Sequence, residues 1–156
     1  MKALGRTAMA RYAVSILALG ALTGLGCGKS TAQASSSALP ALDPKAAKEE
    51  SWTLEDLGKT EFLVFAQAKV TLSKSCLKGA ALDCAALRTL KAGAVVEVKK
   101  AKLDARMSAG ARVCQALAHE LVNGRGPGGE DAFCKFEDGS LVSAGALETY
   151  ALKIVP

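Results

Sequence analysis

A small α+β domain held together by disulfides is the fold class this sequence predicts. Three observations predict it. Apolar residues alternate with polar ones along Val64, Ala66, Ala68, Val70 and Leu72, the period of a half-buried strand. Elsewhere they recur at helical spacing, as in Ala86, Leu87 and Leu90 or Val113, Cys114 and Leu117. Four cysteines, Cys76, Cys84, Cys114 and Cys134, fall in a stretch too small to rely on its core alone.

At the start of the chain, residues 1–11 carry Lys2, Arg6 and Arg11 and no acid. Tyr12 to Leu25 is then a 14-residue run without a charge. This is the order of a secretory signal, expected over residues 1–26. As a helix the run spans ~21 Å, short of a ~30 Å hydrocarbon core, so a permanent span is the weaker reading. Two cleavage points compete. Gly24-Leu25-Gly26-Cys27 resembles a bacterial lipobox, with Gly24 where the pattern has Leu; it would leave Cys27 acylated. Ala32-Gln33-Ala34 offers ordinary cleavage after Ala34 and a soluble periplasmic or secreted protein. The lipobox directly follows the apolar run, and lipidating Cys27 leaves an even number of cysteines. Gly28-Lys29-Ser30 resembles the end of a P-loop, but Thr23 stands where that loop needs glycine.

Residues 27–50 are then expected to be a lipidated N-terminus and flexible linker, rich in Ser, Ala and Pro. The body should run from 51 to 156. Trp52 to Leu57 reads as a helical turn capped by Thr53. Val64 to Ser73 reads as a strand, and Ala80 to Lys91 as a helix with Leu82 on its apolar side and Gly93 as its stop. Ala94 to Lys99 suits a strand. Ser108 caps a helix carrying Val113, Cys114, Leu117 and Leu121. Asn123 to Gly129 is turn-like, Ala132 to Phe136 alternates, and Asp138-Gly139 signals a tight turn. Ala144 to Leu152 suits a closing helix, giving a helix–β-hairpin–helix C-terminal part.

The four body cysteines read as two disulfides. Three pairings are open; proximity favours Cys76 with Cys84 and Cys114 with Cys134. The absence of any C-x-x-C spacing argues against a redox pair or zinc.

The formal charge of +5 suggests an anionic partner. Removing Lys2, Arg6 and Arg11 leaves 17 basic against 15 acidic side chains, a net charge of +2. Lys99, Lys100 and Lys102 are the densest basic run, with no aromatic beside them, so no nucleic-acid partner is expected. His119 is the sole histidine, no G-x-S-x-G elbow marks a serine, and no cofactor or metal set is expected.

One stretch carries a family resemblance. Ala111-Arg112-Val113-Cys114 is followed by a glycine-containing loop ending at Gly128-Gly129. Next comes Phe133-Cys134-Lys135-Phe136-Glu137-Asp138-Gly139-Ser140, with an apolar helix around Ala146-Leu147. About 45 residues here resemble a small uncharacterised bacterial lipoprotein domain that carries a hemolysin label. This chain has Ala118-His119 where the family has Gly-Gly, and Val142 near the place of a further cysteine. The resemblance implies that Glu120–Asn123 pairs as a strand with Ala132–Phe136, and that the preceding helix ends near Ala118.

The expected role is a non-enzymatic binding or structural lipoprotein of the cell envelope, held to the outer membrane facing the periplasm through lipid on Cys27. An alternative is an extracytoplasmic inhibitor or protein-interaction module. It would use the glycine-rich loop 123–131, with Asn123, Arg125, Pro127, Glu130 and Asp131 presented to an envelope protein. A third is a hydrolase using His119.

Overall fold

The fold is that of a computed structural model, which describes residues 37–103 and 106–156. The expected signal segment 1–26, the expected lipidation position Cys27 and the alternative cleavage after Ala34 lie outside the described residues.

Asp43 caps a single 3₁₀ turn, Pro44–Ala46, its carboxylate accepting from Lys45 N–H at 2.9 Å. Two long strands follow, β1 (Lys48–Leu54) and β2 (Gly58–Phe65), then a 3₁₀ turn and β3 (Val70–Ser73). A small ladder, β4 (Leu77–Lys78) with β5 (Ala81–Leu82), leads into helix α1 (Ala85–Ala92). Strand β6 (Val96–Lys99) and helix α2 (Ala109–Ala116) precede the hairpin β7 (Glu120–Gly126) and β8 (Gly129–Lys135). Strand β9 (Leu141–Ser143), helix α3 (Ala144–Tyr150) and strand β10 (Leu152–Val155) complete the body.

Six of these strands close into a barrel in the order β1-β2-β3-β9-β8-β7, every pairing antiparallel. Trp52, Leu54, Phe62, Val122, Phe133 and Leu141 fill its interior. Phe62 and Phe133 rings lie 4.5 Å apart, and Trp52 meets Phe133 edge-on at 5.1 Å, the favoured geometry of aromatic pairs. A larger core lies outside the barrel wall. There Leu63, Leu72 and Val142 meet Leu87, Leu90, Val113 and Leu147 from the three helices. Strands β2, β3 and β9 therefore bury both faces. Strand β10 lies parallel to β6 on the helical side.

The chain is thus α+β and stapled by disulfides, as expected. Cys76 is bonded to Cys84 across the β4–β5 ladder, and Cys114 of α2 to Cys134 of β8. The helix–β-hairpin–helix unit is corrected. Its hairpin forms two staves of a closed barrel, and β9 intervenes before α3. Trp52 to Leu57 is not a helical turn, because Trp52 and Leu54 alternate into the barrel and extend β1. Leu82 belongs to β5, Leu121 to β7 and Leu152 to β10 rather than to the neighbouring helices. The body starts earlier than residue 51: Lys48 opens β1, and Leu39 and Leu42 pack on the outer core. Two leucines three apart give the linker enough apolar surface to dock.

Candidate functional site

The residues expected to meet a partner do not form a loop. Asn123 and Arg125 lie on β7, Glu130 and Asp131 on β8, and only Pro127-Gly128 make the turn. The physical reason is inside the barrel. A Cβ built on Gly126 would fall 2.2 Å from the Trp52 indole, and one on Gly124 would fall 2.4 Å from Leu54. Glycine at these alternate inward positions lets β7 run flat beneath Trp52. High glycine density here marks close approach, not a turn.

The outward positions of the hairpin are polar and mutually tied. Arg125 and Glu130 are cross-strand partners and form an exposed ion pair. Asn123 donates from Nδ2 to Glu55 at 3.1 Å, while Glu55 N–H donates to Asn123 O at 3.0 Å. This fastens the β1–β2 turn to β7. Asp131, by contrast, pairs with Gly124 on the inward-facing row and accepts from Ala132 N–H at 2.8 Å. Although the residue as a whole is exposed, the atoms around its carboxyl desolvate it and raise its pKa above the ordinary value, against that hydrogen bond. At the base, the Cys114–Cys134 bond joins the hairpin to α2. The hairpin is a preorganised polar blade with Pro127 at its tip.

Behind it, Trp52 donates from Nε1 to Glu50 at 3.2 Å, and Lys48 pairs with the same carboxylate at 2.9 Å. The Lys48 hydrogen bond first, then the Trp52 N–H and the Lys48 charge, hold the Glu50 carboxyl below its ordinary value, with desolvation opposing. Sequence reading missed this trio. Its signal was the K-x-E-x-W spacing, which puts all three side chains on one face of a strand.

His119 lies apart from the blade's tip. Helix α2 ends in a Schellman turn, with His119 N–H donating to Cys114 O at 3.1 Å and Ala118 N–H to Gln115 O at 2.9 Å. The imidazole packs on Phe136, ring centres 4.3 Å apart. This is a packing role at a helix end.

A cleft of about 570 Å³ opens between the docked N-terminal segment and α1, lined by Leu39, Leu42, Ala81, Leu82, Leu87 and Lys91. A neighbouring one of about 390 Å³ separates Ser37 and Leu39 from Leu90, Gly93 and Ala94. Both are seams where residues 37–44 lie on the body.

No family model, curated protein or solved structure matches the chain.

Proposed function

We propose that this chain is an exported lipoprotein of the bacterial cell envelope whose body acts by binding rather than by catalysis. The observation that carries the reading is the use of cysteine. The four body cysteines pair among themselves, which leaves Cys27 as the odd one. Two disulfides in so small a body suit an oxidising compartment outside the cytoplasm. Cys27 directly follows an apolar run that suits a secretory signal and lies too close to it to staple the body. Lipidation gives it a use.

Within that reading, the blade formed by β7 and β8 is the surface best suited to a protein partner. Its backbone is fixed by the barrel, the disulfide and the Asn123–Glu55 tie, so binding would order little that is not already ordered. The helix cysteine bonded to the hairpin, followed by the D-G-S turn, also supports the resemblance to the hemolysin-labelled lipoprotein domain. So does Ala118, whose φ of 58° is a glycine-like conformation at the place where that family has Gly-Gly.

Intact mass of the protein extracted from membranes tests the anchor. The expected form begins at Cys27 and carries three acyl chains; a soluble form beginning at Ser35 overturns it. For the blade, the double substitution R125A/E130A should abolish capture of an envelope partner that the unsubstituted protein retains. Undiminished capture would move the binding surface elsewhere.

A further inference from the structure

The charge of the body is divided between its two parts. Residues 85–119, which hold α1, β6 and α2, contain seven basic side chains and two acids, a net charge of +5. The remaining residues from Ser37 onward, which include every barrel strand, contain nine basic side chains and thirteen acids, a net charge of −4. The near-neutral total conceals a dipole.

Within the basic part, Arg88 is neutralised by Asp83. Lys91, Lys99, Lys100 and Lys102 are all exposed and form no ion pair among the described residues. Three of these four fall within four consecutive positions, where β6 runs into a 3₁₀ turn. Val95, among the most exposed large apolar side chains at 45 %, stands immediately before the same strand. Such a group lacks the aromatics and groove that a nucleic acid would use. It suits a flat anionic surface touched by several ammonium groups at once.

The path of the chain supplies the second argument. Ser37 and Leu39 share a cleft with Leu90, Gly93 and Ala94, immediately before β6. The N-terminal segment therefore joins the body on its basic side. Nine residues lie between Cys27 and Ser37, a reach of at most about 35 Å when fully extended. We propose that the run Lys99, Lys100 and Lys102, together with Lys91 at the end of α1, rests on anionic phospholipid headgroups of the membrane in which the chain is anchored. The acidic barrel and its β7–β8 blade then face away from the bilayer. This rests on the anchor reading for its geometry: acylated Cys27 would hold the chain at the membrane, and the basic residues would orient the body on it.

Lysine footprinting tests it on the exported protein as purified. The protein is mixed with vesicles of phosphatidylcholine alone, or of phosphatidylcholine with phosphatidylglycerol, and treated with an amine-acetylating reagent. The expected result is protection of Lys91, Lys99, Lys100 and Lys102 by about fivefold or more only where phosphatidylglycerol is present. Protection should vanish in about 1 M salt, where screening shortens to about 3 Å. Lys59 on β2 should label equally in both. In the K99Q/K100Q/K102Q protein, Lys91 should lose its protection while the thermal melt is unchanged. Equal labelling in the two vesicles overturns the proposal. So does protection by duplex DNA without protection by phosphatidylglycerol, which would reassign the patch to nucleic acid. The intact mass of the same sample reports Cys27 separately, so an unlipidated protein and an inert patch are told apart.

Discussion

The carboxylate of Asp138 accepts the backbone N–H of Ala85 at 2.7 Å, across 53 residues of sequence. Ala85 is the first residue of α1, whose own cap position is held by the bonded Cys84. Ser140 completes the arrangement: its hydroxyl accepts from Ala86 N–H at 3.2 Å and donates to Asp138 at 2.5 Å. The D-G-S turn between β8 and β9 therefore caps a helix that precedes it by half the body.

This cap makes stability depend on pH. Desolvation beside α1 pushes the Asp138 carboxyl up. The Ser140 hydroxyl, the Ala85 and Ser140 N–H groups and the Arg88 charge together outweigh it and hold the pKa below its ordinary value. A carboxyl depressed in the folded state stabilises above its unfolded pKa, near 3.9, and ceases to as pH falls through the folded value. Asp138→Ala should lower stability by about 1 kcal/mol at neutral pH. In urea melts the gap from the unsubstituted protein should narrow below about pH 4. A gap constant down to about pH 2 would mean that the charge plays no part.

Gly126 should be intolerant and Gly128 tolerant. An added methyl at Gly126 must displace the Trp52 indole inside the packed barrel, whereas nothing lies within 4 Å of a Cβ on Gly128. Gly126→Ala should cost about 1–3 kcal/mol and Gly128→Ala far less. Trp52 is the sole tryptophan, so its fluorescence reports both the melt and the indole's displacement. Equal stability of the two variants would show that β7 does not pass under Trp52.

These same glycines explain what the sequence concealed. A cluster of glycines around Pro127 reads as a loop because turns are their commonest use. Here Gly124 and Gly126 are strand residues whose missing side chains make room for Leu54 and Trp52. Alternation failed for a related reason. Phe62 and Leu63, or Leu141 and Val142, are adjacent and both buried, one in the barrel and one against the helices. A strand covered on both faces loses its period of two. Features set by local chemistry were legible: the Ser108 cap, the Asp138-Gly139 turn, Gly93 after α1 and the two nearest-neighbour disulfides. Barrel closure was not, since it depends on β1 finding β7 some seventy residues later through two paired positions. Around Pro127, the sequence reading took for a loop what is a paired β-hairpin.

Ala118 is held at φ 58°, where L-residues other than glycine are strained. The Schellman turn it closes is complete in hydrogen bonds, so only the side chain stands in the way. Ala118→Gly should stabilise the protein by up to about 1 kcal/mol, the relief of strain being partly offset by glycine's larger unfolded entropy. Differential scanning calorimetry should record a higher Tm. A lower one would place α2's end differently and with it the packing of His119 on Phe136.

The docked N-terminal segment is the feature that composition argued against most directly. Leu39 and Leu42 are each half-buried, and they meet the outer core beside α1 and the β4–β5 ladder. Half-burying a leucine contributes on the order of 1 kcal/mol, and ordering a few flanking residues opposes a gain of that size. The net balance is small, which makes the segment the first part of the body expected to open. The double substitution L39A/L42A should therefore cost about 1–2 kcal/mol if docking persists through the cooperative melt. Backbone amides of β1 should keep their slow hydrogen exchange in that variant while those of residues 43–47 speed up. If the double substitution changes neither stability nor exchange, residues 37–47 do not dock and the packed body begins at β1.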